Sequence, residues 1–278
     1  MPELPEVETI KRDLLSQVVG KVIEDVSLFD FNVVRSPSPE DFCEYLRCNA
    51  IADVRRRGKY LLFPLSSGKT LIIHLKMSGV LQLQLLPSET DVLPRAVLRL
   101  DNGGQLCFFD RRKLGAMWLV EDANEIIGKL GPEPLDKELT TRLLRELLGK
   151  RNVAIKALLC DQHVVAGIGN MYADEALFAA RIHPLRKGKD LSVGEVKRLH
   201  TAIHEVLTFA IVNGGASVDT YQRPNGERGF AHFFFRVAHR YGESCYACNS
   251  RIRRTLIRGR GSYFCPKCQA ADTANRVV

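Results

Sequence analysis

Four of the eight cysteines lie near the end of the chain as two CxxC pairs, Cys245 with Cys248 and Cys265 with Cys268. Each pair can turn two thiolates towards one ion, and the sixteen residues between the pairs are enough for a two-stranded hairpin. Four thiolates at this spacing are typical of a closed, tetrahedral and therefore structural zinc site. The alternative is four unrelated thiols or two disulfides. It is disfavoured because we expect an intracellular protein, whose thiols stay reduced. We expect one structural Zn²⁺.

The excess of basic over acidic residues lies around these cysteines. The net charge is +8, and segment 223–268 alone contains ten basic residues against two acidic ones, a difference of +8. Within it, arginines alternate with apolar residues over 251–261. A basic segment on a neutral body is the pattern expected for binding a phosphate backbone, although a merely solubilising surface has the same composition. A zinc ribbon can equally bind protein.

The first 130 residues predict one helix followed by strands. Val7, Ile10, Leu14 and Val18 recur at helical spacing, and Gly20 follows as a stop. Further on, leucines at 81, 83 and 85 alternate with glutamines at 82 and 84, which predicts a strand with one buried face. Two more apolar runs flank the turn sequence DNGG at 101–104 and predict a hairpin. These signals favour a β-sandwich or barrel with a leading helix.

The pattern becomes helical after the sequence LGPEPL at 130–135, where two prolines mark a boundary. Apolar stripes at helical spacing follow, and Ser192 with Glu195 forms a capping box before a long helix that should end at 213–215. The sequence GIGN at 167–170 predicts a tight turn into another helix, with Asp174 and Glu175 in its first turn.

Five blocks occur in the order found in one family of repair enzymes: PELPEVET at 2–9, RGKYL at 57–61, HLKMSG at 74–79, GIGNMYADE at 167–175, and the cysteine finger. The chain therefore resembles the formamidopyrimidine-DNA glycosylases, over nearly its entire length. The resemblance implies an α+β multidomain fold: an N-terminal β-sandwich with a leading helix (1–130), a linker (131–135), a helix-two-turn-helix domain (136–222), and a lesion-side loop with the four-cysteine zinc finger hairpin (223–278).

The resemblance assigns catalytic roles to five residues. If Met1 is removed, Pro2 carries a free secondary amine, which can attack a sugar carbon as a lysine does in a Schiff base. Glu3 then corresponds to the general acid and base, Glu6 to a supporting carboxylate, and Lys59 to a phosphate contact that helps catalysis, with Arg260 acting from the finger. On sequence pattern alone, the prolines and glutamates of 2–6 could serve only to start a helix.

Further residues are expected to bind DNA. Asn170 and Arg260 match the family's phosphate-binding residues, with His74 and Lys156 as lesser candidates. Met77, Arg112 and Leu114 match the wedge that fills the space of a flipped base. The chain departs from many relatives here, because Leu114 stands where they carry Phe and Arg111 where they carry Pro. Leu stacks less on a base, so the strength of the wedge can differ at this position.

The expected function is excision of oxidised purines, such as 8-oxoguanine and formamidopyrimidines, from damaged double-stranded DNA, followed by β,δ-elimination at the abasic site. The rivals are an endonuclease VIII-like enzyme for oxidised pyrimidines, which Leu4 and Glu8 disfavour, and a non-catalytic DNA-binding protein, which Pro2, Glu3 and Lys59 disfavour. No apolar run approaches the roughly 20 residues of a membrane helix, and the acidic start does not fit a secretory signal. We expect a cytoplasmic, nucleoid-associated monomer.

Overall fold

A computed structural model describes residues 1–84 and 93–271, so the predicted strand position Leu85 lies outside the described residues. The chain forms two compact units. The first contains residues 1–129 and 211–232, and the second contains residues 130–210 and 233–278. No helix in the described part of the chain is long and apolar enough to span a membrane.

The first unit begins with α1 (Leu4–Val18), as the spacing of its apolar residues predicts. Glu3 is the N-cap, and its side chain accepts the backbone N–H of Glu6 while Glu6 accepts that of Glu3. The two carboxylates therefore satisfy N–H groups that have no partner inside the helix. All four predicted apolar positions are buried, and Gly20, with φ of 80°, reverses the chain after the helix.

Within the described residues, two five-stranded sheets follow. The strands in chain order are β1 (Val22–Leu28), β2 (Val34–Ser36), β3 (Asn49–Ala50), β4 (Arg55–Arg57), β5 (Tyr60–Pro64), β6 (Thr70–His74), β7 (Gly79–Gln84), β8 (Ala96–Leu100), β9 (Gln105–Asp110) and β10 (Ala116–Val120). One sheet has the order β3-β1-β8-β9-β7 and the other β2-β10-β6-β5-β4. The predicted hairpin across 101–104 is present as the antiparallel pair β8 and β9. Two short helices, α2 (Pro39–Leu46) and α3 (Asn124–Ile127), complete the unit before residue 129.

Both sheets and α1 contribute to one apolar core. Its buried side chains come from α1, from strands of either sheet and from α2, with Tyr221 of the 211–232 segment among them. The alternation in β7 is visible at its start, where Leu81 is buried and Gln82 is half-buried. The core thus confirms the sandwich with a leading helix that the pattern predicted.

The second unit is helical and then forms the hairpin. Its helices are α4 (Thr141–Gly149), α5 (Ile155–Leu159), α6 (Asn170–Ala179) and α7 (Val193–Val212). The capping box before α7 is confirmed, because the N–H of Glu195 donates to Ser192 Oγ at 3.2 Å and the N–H of Ser192 donates to Glu195 Oε2 at 2.8 Å. The prediction for α6 was wrong in one respect: this helix begins at Asn170, so Asp174 and Glu175 lie beyond its first turn, and both are buried.

The finger forms the predicted hairpin from β11 (Arg253–Ile257) and β12 (Arg260–Phe264). Arg258 and Gly259 connect the strands with φ of 47° and 72°, the left-handed conformation that two-residue hairpin turns require. Among the residues that the structure describes, the apolar cluster at its base is small, and its fully buried members are Val237, Ile252, Cys245 and Cys265.

Candidate active site and nucleic-acid interface

The start of α1 holds the N-terminal candidates in a fixed geometry. Pro2, Glu3 and Glu6 are all buried. Glu6 Oε2 accepts the N–H of Glu3 at 2.7 Å, and Glu6 Oε1 accepts the N–H of Ala216 at 2.8 Å. One carboxylate therefore joins the first residues of the chain to the loop that follows α7.

The loop at 214–216 approaches Glu6 closely enough to require glycine. Gly215 has φ of 79°, and a Cβ built there would lie 3.0 Å from Glu6 Cγ and Oε1. Tyr221 also fixes this loop, because its hydroxyl donates to the carbonyl of Gly214 at 3.0 Å. The helix start and the loop are therefore packed as one structure.

Lys59 lies in the turn between β4 and β5, and its side chain is buried. Arg56 supports this turn by donating from Nη1 to the carbonyl of Gly58 at 3.1 Å and from Nε to Glu8 Oε2 at 3.0 Å. Lys11 and Arg12 also donate to Glu8. Burial opposes the charge on Glu8, but these donors outweigh it and keep the pKa of Glu8 below its usual value. A charged Glu8 on α1 thus anchors the turn that carries Lys59.

His74 is buried at the end of β6 beside Tyr60, whose ring meets the imidazole edge-on at 4.5 Å. The N–H of Lys76 donates to His74 Nδ1 at 2.9 Å. Burial, reinforced by the positive charges of Lys76 and Lys59, lowers the pKa of His74 to about 3. His74 is therefore a neutral imidazole at physiological pH.

The predicted wedge residues lie on two adjacent turns of the first unit. Met77 is 42% exposed and Leu114 is 41% exposed, and the exposed Arg112 donates from Nη1 to Met77 Sδ at 3.2 Å. The three side chains thus form a partly apolar surface with a guanidinium beside it.

In the second unit, two predicted DNA-binding residues meet at one carbonyl. Asn170 Nδ2 donates to the carbonyl of Gly261 at 3.0 Å, and Lys156 Nζ donates to the same oxygen at 3.2 Å. Lys156 is buried and pairs with Asp174 Oδ1 at 2.6 Å. Burial raises the pKa of Asp174 to about 7, although Lys156 favours the charged form. The N–H of Tyr263 donates to Asp174 Oδ2 at 3.1 Å, so α5, α6 and β12 are joined here.

Arg260 is exposed and directly precedes Gly261 in β12. It borders a cavity of about 350 Å³ with Lys156 and Arg258, and His163 and Cys160 also line this cavity. The concentration of cationic side chains around a cavity of this size suits a phosphate group.

The four predicted metal ligands converge. Their sulfur atoms all lie within 4.8 Å of one another, with Cys245 Sγ 3.9 Å from Cys268 Sγ and Cys248 Sγ 3.4 Å from Cys265 Sγ. Zinc–sulfur bonds of about 2.3 Å in a tetrahedron place the sulfurs about 3.8 Å apart. The donor set therefore fits a single tetrahedral metal ion.

Several supporting residues were not predicted from the sequence. Glu8 and Arg56 fix the Lys59 turn, and Asp174 binds Lys156. Glu175 is also buried, and its carboxylate accepts the N–H groups of 236, 237 and 238, each at 2.8 Å. Asp174 and Glu175 carry carboxylates that can accept hydrogen bonds and pair with a lysine, but no local sequence pattern indicated which residues they would contact.

Comparison with protein families gives two matches that together cover most of the chain. Residues 1–117 match the formamidopyrimidine-DNA glycosylase N-terminal domain, and residues 130–222 match the formamidopyrimidine-DNA glycosylase H2TH domain. Among curated proteins, the formamidopyrimidine-DNA glycosylase of Chloroflexus aurantiacus is 43% identical over 273 residues, which are 97% of this chain and 98% of the relative. That of Roseiflexus sp. is also 43% identical, over 97% of this chain and 100% of the relative.

Solved structures agree with these matches. A mutant of the Lactococcus lactis FPG protein in complex with DNA containing Fapy-dG has a TM-score of 0.91 at 35% identity, covering 97% of this chain and 100% of that one. A complex of the L. lactis protein with DNA containing an abasic site has a TM-score of 0.90 at 35% identity, with the same coverage. The MutM (FPG) protein of Thermus thermophilus has a TM-score of 0.87 at 38% identity, covering 96% of this chain and 98% of that one.

Proposed function

The chain belongs to the formamidopyrimidine-DNA glycosylase family, and on that premise we propose that it removes oxidised purines from duplex DNA and then cleaves the strand at the abasic site. Relatives of this name and their complexes with damaged DNA support a base-excision-repair glycosylase. In this chain, the observation that carries the proposal is the Glu6 hydrogen bond to the N–H of Glu3, which fixes the backbone directly after Pro2.

The proposed nucleophile is the nitrogen of Pro2. Removal of Met1 converts that nitrogen from an amide into a secondary amine, and an α-amino group has an ordinary pKa of about 8, so part of it is unprotonated at neutral pH. The amine attacks C1′ of the damaged nucleotide, the bond to the base breaks with its electron pair, and the departing base takes up the proton that the amine nitrogen loses. Glu3 protonates the ring oxygen O4′, the ring opens, and an iminium joins Pro2 to C1′.

The iminium makes the hydrogens on C2′ acidic. Loss of one proton from C2′ expels the phosphate on C3′, and a second elimination expels the phosphate on C5′. Water then hydrolyses the iminium, which releases the sugar fragment and returns the amine of Pro2. The product is a one-nucleotide gap. Lys59 is proposed to hold a phosphate beside the lesion, and Glu6 to hold the N-terminal segment in place.

Residues of both units are proposed to bind the DNA. Asn170 and Arg260 bind phosphate, with Lys156 and the neutral His74 in lesser roles. The extruded base leaves a space that Met77, Arg112 and Leu114 fill. Zinc held by the four cysteine thiolates has a structural role and keeps the arginine-bearing hairpin folded.

Borohydride trapping on a duplex that contains 8-oxoguanine tests the reaction. We expect a covalent adduct in which the Pro2 peptide carries the sugar, identified by mass spectrometry after proteolysis. Pro2→Gly should slow its formation strongly. An intact-mass measurement must first show that Met1 is absent, because a retained Met1 contradicts the mechanism, as does an adduct that Pro2→Gly forms at the full rate. An adduct on Lys59 would make lysine the nucleophile.

The same assay separates the rival functions. Faster excision of thymine glycol than of 8-oxoguanine would assign the chain to the endonuclease VIII-like enzymes, and binding without an adduct or strand cleavage would make it a non-catalytic DNA-binding protein.

We propose that it acts as a monomer, which sedimentation with and without DNA can test. Because the proposed substrate is chromosomal DNA, we propose that it acts in the cytoplasm, associated with the nucleoid.

A further inference from the structure

The two turns that carry the wedge residues meet at one end of the β7 and β9 pair. Met77 precedes β7 in the turn at 75–78, and Arg112 and Leu114 lie in the turn at 111–115 between β9 and β10. Gly79, the first residue of β7, pairs with Asp110, the last residue of β9. Asp110 therefore lies where the two turns leave the sheet.

The buried carboxylate of Asp110 accepts hydrogen bonds from both turns. Ser78, at the end of the first turn, donates its hydroxyl to Oδ1. In the second turn, the N–H of Arg112 donates to Oδ1 at 3.2 Å and the N–H of Gly115 donates to Oδ2 at 2.6 Å. The N–H of Arg112 also donates to Ser78 Oγ, at 3.2 Å between the nitrogen and the oxygen. The Ser78 hydroxyl therefore bonds both to Asp110 and to the backbone of Arg112.

Arg95 balances the charge of this carboxylate. Its guanidinium is buried, with Nη1 3.6 Å from Asp110 Oδ2, and the same Nη1 donates to the carbonyl of Gly115 at 3.0 Å. Its Nε donates to Asp30 Oδ2 at 3.1 Å. A buried carboxylate is stable only when it is paired and hydrogen-bonded, and here both conditions are met.

Steric crowding fixes the same two turns. A Cβ built on Gly115 would lie 2.4 Å from Phe108 Cζ, and one built on Gly79 would lie 2.4 Å from the carbonyl oxygen of Leu75. Lys76 and Lys113 adopt φ of 52° and 56°, in the left-handed region that non-glycine residues enter at a cost. The hydrogen bonds from Asp110 and this packing together hold the backbone of both turns in one conformation.

We propose that Asp110, with Ser78 and Arg95, is a positioning residue that orders the base-displacing side chains before DNA binds. This inference rests on the proposed function. Extruding a base costs free energy, and a wedge that is already ordered does not lose further conformational entropy when it enters the duplex. Asp110 itself lies beneath the turns and acts only through Met77, Arg112 and Leu114.

The role predicts a difference between substrates. Excision from a duplex requires the damaged base to be extruded, whereas an abasic site in single-stranded DNA has no base to extrude and no partner base to leave behind. Asp110→Asn keeps the shape of the side chain but replaces one carboxylate oxygen with an NH₂ group, which donates hydrogen bonds and cannot accept them. That group then faces the N–H of Gly115, or the N–H of Arg112 and the Ser78 hydroxyl, so at least one N–H loses the acceptor that Asp110 provides. Disordering the wedge should therefore slow duplex excision alone.

The test compares single-turnover rates of wild type and Asp110→Asn on a duplex containing 8-oxoguanine and on a single-stranded abasic oligonucleotide. We expect Asp110→Asn to lower the duplex rate about tenfold or more, equivalent to the loss of some 1.4 kcal/mol of extrusion energy, and to leave the single-strand rate within about twofold. Fluorescence of 2-aminopurine beside the lesion should show slower extrusion. Asp101→Asn, on the exposed turn between β8 and β9, is the matched control and should change neither rate.

Ser78→Ala provides a milder second variant, because the two N–H donors to Asp110 remain. It should slow duplex excision by about threefold, in line with the loss of one hydrogen bond, and should decide the question if Asp110→Asn does not fold. Equal losses on both substrates, or no loss on the duplex, overturn the positioning role. A wild type that cleaves neither substrate contradicts the proposed function itself, so the two failures are distinguishable.

Discussion

The two units differ in the size of the apolar core that lies beside their candidate site residues. In the first unit, α1 and two five-stranded sheets share one core, and residues such as Glu6 and Asp110 are polar groups at its margin. In the finger of the second unit, the fully buried apolar cluster that the described residues form consists of Val237, Ile252 and two of the cysteines, with four partly buried side chains packed against it. A cluster of that size cannot offset the entropy of ordering the hairpin.

Because the cores differ in size, buried polar groups have different roles in the two units. In the first unit, buried carboxylates select one loop conformation on a scaffold that is already stable. In the second unit, Asp174 connects α6 to the hairpin through the N–H of Tyr263, and Glu175 connects α6 to the backbone at 236–238. The same kind of substitution should therefore alter precision in the first unit and folding in the second.

The largest effect should come from the metal. Zinc binding by a four-thiolate site contributes about 10 kcal/mol or more of folding free energy, so Cys265→Ser or chelation should unfold the finger outright. We expect the metal content, measured by mass spectrometry, to fall to zero and DNA affinity to collapse. Trp118 in β10 is the only tryptophan, and its fluorescence should report an intact sandwich.

The exposed Cys48 provides the control, because Cys48→Ser should change neither metal content nor affinity. A chelated protein that keeps its DNA affinity and the hydrogen-exchange protection of 253–264 would show that the finger does not depend on its metal, and would remove the contrast between the units.

The next largest effect should come from Glu175. Glu175→Gln leaves one of the three N–H groups at 236–238 facing an amide NH₂ or no acceptor, which costs about 1–3 kcal/mol for each unsatisfied buried group. Hydrogen exchange of these amides should accelerate correspondingly. Glu243→Gln, which removes a carboxylate that is more than half exposed and pairs with Arg240, is the control and should have little effect. Unchanged protection in Glu175→Gln would mean that packing alone holds the segment.

Local patterns were sufficient where a structure is encoded within a few residues. The cysteine spacing predicted the finger hairpin, Ser192 with Glu195 predicted the start of α7, and the spacing from Val7 to Val18 predicted α1. Turns, caps and amphipathic stripes are determined by neighbours along the chain, so they are readable from sequence.

Contacts between distant residues could not be predicted in this way. Ser78 and Asp110 are 32 residues apart, and Glu6 and Ala216 are 210 residues apart. Pairing of β7 with β9 brings Ser78 close to Asp110, and packing of the 214–216 loop on α1 brings Ala216 to Glu6. The Asp174 carboxylate likewise meets its partner in β12 only in the folded chain. The family resemblance named Lys156 and His74 as DNA contacts, but it could not indicate that one is in a buried ion pair and the other is a neutral imidazole.

An effect of similar size is expected from His74, a buried polar group of the first unit, and it concerns how stability depends on pH. The imidazole is neutral in the folded protein because its pKa is lowered to about 3, whereas the unfolded chain takes up a proton near pH 6.5. The unfolded state therefore binds more protons between these values, and stability falls as the pH falls below about 6.5. At pH 5 the loss relative to pH 7.5 should be about 2 kcal/mol.

His74→Asn removes this titration and retains an acceptor for the N–H of Lys76. The variant should therefore lose about 2 kcal/mol less stability than wild type between pH 7.5 and pH 5. Denaturant unfolding followed by Trp118 fluorescence measures it, with exposed His204→Asn as the control. Equal pH dependence in wild type and His74→Asn would show that His74 titrates normally in the folded state.

The smallest effect should be at the exposed pair of Arg142 and Glu146 in α4, whose side chains are 90% and 52% exposed and 3.2 Å apart. If burial, and not charge, makes polar groups essential to the second unit, this pair should contribute only about 0.3–0.5 kcal/mol, as exposed pairs one helical turn apart do. A double-mutant cycle with Arg142→Gln and Glu146→Gln measures the coupling. A coupling energy above about 1 kcal/mol would mean that the second unit depends on ion pairs wherever they lie, and that the importance of Asp174 does not come from its burial.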